Sequence, residues 1–131
     1  MNKKKVYISY DYENERHYKN LLLAWNTNEE FESLVTNFEV LPKENLSELD
    51  FRKSITDKIS QASVFLVIVG KNTHQSKWVK WEIEKAKELD KKIVAVKSER
   101  ENTTPKELYG IGANWAMKFT FEAITNAINR I

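Results

Sequence analysis

Two residues four positions apart, Trp78 and Glu82, are the side chains of this sequence best suited to act together chemically. The apolar periodicity predicts a helix over residues 77–90, and residues four apart on a helix lie on the same face. The core stripe of that helix is expected next to the pair, at Val79, Ile83, Ala86 and Leu89 or Asp90. The pair is therefore expected to face a cleft, where an indole can stack on a flat base and a carboxylate can stabilise positive charge.

A carboxylate beside an aromatic plate suits the cleavage of an N-glycosidic bond. The transition state of that reaction resembles an oxocarbenium ion at the anomeric carbon of the ribose, as in glycoside hydrolysis. A carboxylate fixed there stabilises the transition state more than the ground state, which lowers the barrier. A base that leaves from a pyridinium as a neutral molecule, as nicotinamide does, needs no general acid. One glutamate is then sufficient.

A simpler interpretation of these residues involves no function. A glutamate on a surface helix is usually solvated and pairs with a neighbouring lysine, and Lys85 lies three residues after Glu82. Trp78 and Trp81 are then half-buried packing residues. Spacing alone leaves both interpretations of the helix open.

The composition narrows the chemistry further. There is no Cys, and His17 and His74 are far apart, so thiol chemistry, disulfides and Cys- or His-based metal sites are not expected. The net charge of +2, from 21 basic and 19 acidic residues, gives no reason to expect nucleic acid as a partner. The three glycines are Gly70, Gly110 and Gly112, and none follows the first predicted strand, which excludes glycine-rich phosphate loops.

Strand and helix patterns alternate along the chain, which predicts a parallel sheet with helices on both faces. Strands are expected at residues 6–10, 38–41, 64–69, 93–96 and 115–119. Helices are expected from an N-cap at Asp11 to Trp25, and over residues 48–61, 77–90 and 121–131. The predicted fold is therefore α/β: a flavodoxin-like three-layer sandwich around a five-stranded parallel sheet of order 2-1-3-4-5.

Sheets of this order bind ligands where the strand order reverses, between the carboxyl ends of strands 1 and 3. The residues expected to line this crevice come from the loops that follow those strands: Ser9, Tyr10, Asp11, Gly70, Lys71 and Asn72. The third helix begins in the second of these loops. The crevice and the Trp78–Glu82 pair are therefore expected in one place.

The sequence predicts a cytoplasmic protein. No apolar stretch approaches the ~20 residues that a membrane-spanning helix needs. The N-terminus lacks the apolar region of a signal peptide, and its basic run at residues 3–5 is expected to be a solvated tail. Neither a membrane nor a nucleic acid is an expected partner.

Two sequence boxes resemble those of a known family. The run KVYISY at residues 5–10 resembles the first-strand box of TIR domains, and SKWVKWE at residues 76–82 is similar to their Ser-x-Trp-x-x-x-Glu motif. Residues 55–96 also resemble the bacterial TIR-like proteins of the Thoeris antiphage defence system. The resemblance implies that residues 1–131 form a single TIR-like domain.

The resemblance also implies an enzyme that consumes NAD as its substrate, without a further cofactor or a metal. It makes Glu82 the catalytic residue and places Trp78 near the substrate. Ser9 and Tyr10 line the nicotinamide side, and Ser76 is a further substrate-binding residue. In Thoeris-like relatives the TIR protein converts NAD to a cyclic ADP-ribose-type signal, which activates a separate effector protein. Many family members become active only on self-association.

Two other functions remain open. A TIR-like domain whose Trp78–Glu82 pair is only structural acts by protein contact, without catalysis. An enzyme that cleaves the N-glycosidic bond of nucleosides can use a single glutamate equally well. The joint presence of Trp78 and Glu82 favours an enzyme over a domain that acts by protein contact, whereas hydrolysis and cyclisation are not distinguished by one sequence.

Overall fold

The structure, a computed structural model, describes residues 4–35 and 48–130. Its strands in chain order are β1 (Lys5–Ser9), β2 (Glu32–Val35), β3 (Val64–Val69), β4 (Lys92–Lys97) and β5 (Asn114–Ala116). Its α-helices are α1 (Tyr12–Trp25), α2 (Glu48–Gln61), α3 (Lys77–Glu88) and α4 (Phe121–Asn129). The strands are parallel and lie in the order β2-β1-β3-β4-β5, which confirms the predicted class and order. None of these described helices is long and apolar enough to cross a membrane.

The centre of the sheet is β3, whose six residues are all apolar. It lies between β1 and β4, and all its side chains are buried, as expected for a parallel strand covered on both faces. Alternate residues face opposite layers. Leu66 and Ile68 pack in the layer of α1 and α4, whereas Phe65 and Val67 pack in the layer of α2 and α3.

The same alternation along β1 decides where its polar residues point. Ile8, and Tyr10 just after the strand, belong to the α1–α4 layer. Tyr7 belongs to the α2–α3 layer, where its ring stacks on Phe65 with the ring centroids 5.7 Å apart. Ser9 follows Tyr7 by two residues and faces the same layer. The α2–α3 layer therefore receives the hydroxyl groups of both Tyr7 and Ser9.

The strand that pairs with the outer edge of β1 was not predicted from the sequence pattern. The predicted strand at residues 38–41 lies outside the described residues, and the strand that pairs with β1 is β2. Its register runs from Lys5 opposite Glu32 to Ile8 opposite Val35. Because β2 forms an edge of the sheet and two of its four residues are polar, it lacks the apolar run that identifies the inner strands.

Two predicted element ends also differ from the structure. β5 ends at Ala116, before the predicted limit of residue 119. α3 ends at Glu88, because Asp90 adopts a left-handed backbone with φ of 56°. The N–H of Lys91 then donates to the carbonyl of Ala86 at 2.9 Å. This is the Schellman arrangement, which stops a helix within one turn.

Candidate active site

Glu82 lies within the buried face of α3, and not beside it as expected from the sequence. Ser76 is the N-cap of the helix, and its hydroxyl accepts the backbone N–H of Val79 at 3.2 Å. The buried positions that follow are Val79, Glu82, Ile83 and Ala86, which have the i, i+3, i+4, i+7 spacing of one helix face. The side chain of Glu82 is 0% exposed.

Both carboxylate oxygens of Glu82 accept a hydrogen bond from β1. The hydroxyl of Tyr7 donates to Oε2, and Ser9 Oγ donates to Oε1 at 3.0 Å. The simpler interpretation of the sequence paired Glu82 with Lys85, but Lys85 Nζ lies 3.1 Å from the carboxylate of Glu88 instead. The two donors that hold Glu82 are therefore neutral hydroxyl groups.

Burial raises the pKa of Glu82 from 4.5 to about 7. Loss of hydration disfavours the charged carboxylate, whereas the hydrogen bonds from Tyr7 and Ser9 favour it and limit the rise. Near neutral pH the side chain therefore occurs in both protonation states. A carboxyl group with a strongly shifted pKa near a cleft is a candidate functional group.

A cavity of about 460 Å³ lies between the loop after β1 and the start of α3. Its lining comes from these two segments: Tyr10, Asp11, Tyr12, Glu13, Asn14, Asn72, Gln75, Ser76 and Trp78. This is the crevice expected at the reversal of strand order, although Ser9, Gly70 and Lys71 do not line it. Glu82 does not line the cavity either, but it follows the lining residue Trp78 by about one helical turn.

Ser9 and Tyr10, both predicted to bind substrate, point to opposite faces of the sheet. Ser9 reaches Glu82, whereas Tyr10 is 2% exposed and packs in the α1–α4 layer. The Nζ of Lys19 lies 5.4 Å from the centroid of the Tyr10 ring. The structure therefore brings Ser9 to the carboxylate and Tyr10 only to the cavity wall.

The loop after β1 does not end in the side-chain cap that was predicted. Asp11 occupies the N-cap position of α1, but its side chain does not accept a backbone N–H. Its carboxylate accepts the side-chain amide of Asn14 at 2.7 Å. Both residues line the cavity, so this hydrogen bond forms part of its polar rim.

Trp78 is half-buried and held in place by neighbours on α2 and α3. The ring of Phe51 meets it edge-on with centroids 5.0 Å apart, and that of Trp81 does so at 5.9 Å. The guanidinium of Arg52 lies 5.1 Å from the ring centroids of both Trp78 and Trp81. These contacts with α2 and α3 hold the indole of Trp78 in place, and Trp78 also lines the cavity.

Tyr7 is a site residue that the sequence interpretation missed. It was counted only as part of the first-strand box, whereas its hydroxyl is one of the two groups that hold Glu82. The signal was present in the strand itself. Since Ser9 was expected at the site, the two-residue period of a strand places Tyr7 on the same side.

A second buried carboxylate, Glu15 in the first turn of α1, was also missed. It is 5% exposed, and its Oε1 accepts the N–H of Lys71 at 3.1 Å. Its Oε2 has no hydrogen-bond partner among the described residues. Burial raises the pKa of Glu15, and the hydrogen bond from Lys71 opposes the rise. In residues 4–35 and 48–130 no three His, Asp or Glu side chains cluster so as to hold a metal ion.

Glu15 fits into its position because residue 70 is a glycine. A Cβ added at Gly70 would lie 1.9 Å from Cδ of Glu15, which is far inside van der Waals contact. The contact joins the first turn of α1 to the end of β3. No local pattern in the sequence relates two residues so far apart along the chain.

Comparison with known families matches residues 7–103 to the model of the Thoeris protein ThsB, TIR-like domain. The matched segment contains Tyr7, Ser9, Trp78 and Glu82, together with the residues that line the cavity. A sequence comparison with curated proteins finds no match.

Several solved structures have a similar fold at low sequence identity. A 2-deoxyribosyltransferase from Leishmania mexicana superposes with a TM-score of 0.67 at 13% identity, over 97% of each chain. The CMP N-glycosidase BcmB from Clostridium botulinum gives 0.64 at 20% identity, over 97% of this chain and 98% of the other. TIR domains of the activated Roq1 resistosome, which directly recognises the pathogen effector XopQ, give 0.56 at 17% identity over 78% and 60%. At these identities the likeness shows the flavodoxin-like fold alone.

Proposed function

Because this chain belongs to the TIR-like domain family of the Thoeris protein ThsB, we propose that it is an enzyme that cleaves the nicotinamide–ribose bond of NAD. Glu82 is the proposed catalytic residue, and NAD is its substrate, so that no further cofactor takes part. One observation carries the proposal. A fully buried carboxylate, with both oxygens hydrogen-bonded, lies one helical turn from a tryptophan that lines a cavity.

The proposed step breaks the bond between C1′ of the ribose and the nitrogen of nicotinamide. The electron pair of that bond leaves with the nitrogen, so the pyridinium becomes neutral nicotinamide and positive charge passes to C1′ and the ring oxygen. The carboxylate of Glu82 stabilises that charge, and its attraction is strong because the site excludes water. Tyr7 and Ser9 fix the direction of the carboxylate.

The second step of the proposal is capture of C1′ by a nucleophile. Water forms the new bond and loses a proton, which yields ADP-ribose, or an atom of the adenosine half attacks and closes a ring. We assign the cyclic ADP-ribose-type product to this protein, as a signal in antiphage defence that acts on a separate effector protein. The proposal includes a cytoplasmic location.

Substrate access requires a movement, because the Glu82 side chain is 0% exposed. Ser76 and Trp78 line the cavity at the start of α3, one turn before the carboxylate, so displacement at this point joins the cavity to Glu82. Self-association of the chain is the proposed trigger, since contact with a neighbour can hold the open arrangement. Trp78 then stacks on the substrate.

A nucleoside N-glycosidase is the second candidate function. The base of an uncharged nucleoside leaves readily only when it is protonated, and two carboxyl groups, Asp11 and Glu13, line the same cavity. The cavity therefore carries acidic side chains other than Glu82, and a second acidic group is what this reaction requires beyond the cleavage of NAD. The substrate profile of the purified protein separates the two candidates.

The test is incubation of the purified protein with NAD at concentrations that promote assembly, with nicotinamide and nucleotide products followed by chromatography. Wild type is compared with Glu82→Gln and, as a matched control, with Glu84→Gln, since Glu84 is exposed on the same helix. Wild type and Glu84→Gln are expected to release nicotinamide at equal rates. Loss of the carboxylate is expected to slow release by about 100-fold or more, as for other groups that stabilise charge in a transition state.

Two outcomes overturn the proposal. If wild type releases bases from nucleosides but leaves NAD intact, the nucleoside N-glycosidase is correct. If wild type and Glu82→Gln are equally inert in assembled form, the domain acts by protein contact and the Trp78–Glu82 pair is structural.

A further inference from the structure

A second cavity, of about 770 Å³, lies at the carboxyl ends of β4 and β5. It opens on the same edge of the sheet as the cavity beside Glu82, because all the strands are parallel. Its volume lies within the range of about 300–1,000 Å³ that is usual for small-molecule sites. The mechanism proposed above makes no use of it.

Three cationic side chains line this cavity: Lys97 at the end of β4, Arg100 in the following loop and Lys118 after β5. No carboxylate is among the lining residues. None of the three cations forms a salt bridge with a carboxylate in residues 4–35 and 48–130. Three such charges on one concave surface attract an anion, and a guanidinium together with ammonium groups suits the oxygens of a diphosphate.

The rest of the lining supplies aromatic and apolar surface. Trp115 is half-buried, and the Nζ of Lys97 lies 5.9 Å from the centroid of its ring. The ring of Phe119 contacts that of Tyr18 edge-on, with the ring centroids 5.0 Å apart. Met117 is 87% exposed on the same cavity. An aromatic ring and a polarisable side chain next to cations form a surface on which a flat base can stack.

The loop that carries Arg100 is fixed to the centre of the sheet. The side-chain amide of Asn102 is buried, and it donates to the carbonyl of Val69 at 2.9 Å and to Ser98 Oγ at 3.0 Å. Val69 is the last residue of β3, and Ser98 lines the cavity. The loop is therefore held in place beside this cavity, which reduces the ordering cost of binding a ligand there.

We propose that this cavity binds the adenosine diphosphate half of the dinucleotide. The inference rests on the proposed function, because the nicotinamide half then occupies the cavity beside Glu82. The crevice between β1 and β3 and the crevice between β4 and β5 are two strand spacings apart, which is about 10 Å. A dinucleotide with two riboses and a diphosphate between its bases is long enough to span that distance.

The experiment measures binding of ADP by calorimetry to the full chain, so that it does not depend on catalysis. Wild type and Glu82→Gln are expected to bind ADP equally, whereas Arg100→Gln and Lys118→Gln are each expected to weaken binding about tenfold, as for the loss of a charge-assisted hydrogen bond. Lys53→Gln removes the same charge from an exposed position on α2 and is expected to change nothing. Adenosine and inorganic diphosphate, tested alone, are each expected to bind more weakly than ADP.

A second measurement locates the ligand without any substitution. A photoreactive azido-adenine analogue of ADP is expected to label peptides that contain residues 97–104 or 115–119. The inference is overturned if wild type does not bind ADP, if Arg100→Gln and Lys118→Gln bind it as wild type does, or if the label is found elsewhere. Failure of the proposed function gives a different result, in which ADP binds at this cavity while NAD stays intact.

Discussion

Glu82 on α3 and Glu15 on α1 are both buried carboxylates near the carboxyl ends of β1 and β3, but the structure holds them in different ways. Both oxygens of Glu82 accept side-chain hydroxyl groups from β1. Glu15 accepts one backbone N–H, that of Lys71, and its Oε2 has no partner in the described part of the chain. Side-chain donors thus orient the carboxylate of Glu82, whereas the carboxylate of Glu15 is hydrogen-bonded to the main chain of a loop.

This difference separates the chemical role proposed for Glu82 from the structural role of Glu15. Hydroxyl donors on a strand hold a carboxylate in one orientation and leave it able to charge, which is what stabilisation of a cationic transition state requires. The carboxylate of Glu15 accepts the N–H of Lys71, and this hydrogen bond joins the first turn of α1 to the loop after β3. That loop leads into α3, and its next residue, Asn72, lines the cavity.

The largest expected effect is a gain in stability when Glu82 is made neutral. The folded protein holds the proton of Glu82 up to about pH 7, whereas the unfolded chain loses it near pH 4.5. The contribution of Glu82 to the free energy of unfolding therefore falls as the pH rises from 4.5 to 7. At about 1.4 kcal/mol per pKa unit, Glu82→Gln is expected to exceed wild type in stability by about 3 kcal/mol above pH 7, and by little below pH 4.5.

Urea denaturation of wild type and Glu82→Gln at a series of pH values measures this difference. Glu84→Gln, which neutralises an exposed carboxylate on the same helix, is the control and is expected to differ little from wild type in stability. Glu15→Gln is expected to act in the same direction as Glu82→Gln, since burial raises the pKa of Glu15 too. A pH-independent difference between wild type and Glu82→Gln contradicts the burial of a titrating carboxyl group.

The next effect is steric and belongs to Glu15. In Gly70→Ala the new Cβ would lie 1.9 Å from Cδ of Glu15, so the side chain must leave its place and the hydrogen bond from Lys71 is lost. Overpacking of this kind is expected to cost about 2 kcal/mol of stability. In a Glu15→Ala background the same substitution is expected to cost less than about 0.5 kcal/mol, because the three atoms nearest to the new Cβ all belong to the removed Glu15 side chain. Equal costs in the two backgrounds, measured by urea denaturation, show that another contact opposes the methyl group.

The prediction of the fold from sequence succeeded where local pattern and tertiary role agree. The six apolar residues of β3 have one stable place in an α/β domain, between two covered faces, and the alternation of strands and helices then sets the topology. The edge strand β2 was not predicted at residues 32–35, because an edge needs no apolar run. Its position depends on its pairing with β1, which lies far away in sequence.

The prediction of the site was limited by treating a charged residue as an exposed one. Val79, Glu82, Ile83 and Ala86 follow the spacing of one buried face, so the helix period alone indicates that Glu82 points inward. The strand period indicates Tyr7 in the same way. The contact between Glu15 and Gly70 differs from both, because it arises from the packing of α1 against the end of β3 and has no local pattern.

The smallest expected effect is on the pKa of Glu82 itself. Tyr7→Phe removes the hydroxyl that donates to Oε2 and keeps the ring that stacks on Phe65. Because this hydrogen bond favours the charged form, its loss is expected to raise the pKa of Glu82 above about 7. The catalytic step proposed for Glu82 needs the carboxylate, so the rising limb of the pH–rate profile of the proposed nicotinamide release is expected to move to higher pH.

The shift of the pH–rate profile shows whether the Tyr7 hydroxyl acts on the charge of Glu82 or whether Tyr7 only packs in the site. Tyr109→Phe, which removes a hydroxyl from an exposed ring, is the control and is expected to leave the limb where it is. Titration of Glu82 by NMR, with carbon-13 in the carboxyl group, gives the same comparison without turnover. A different result is that Tyr7→Phe lowers the rate equally at every pH and leaves the pKa of Glu82 measured by NMR unchanged. Tyr7 then supports the fold of the site but does not control the charge of Glu82. In that case Glu82 and Glu15 differ only in the geometry of their hydrogen bonds.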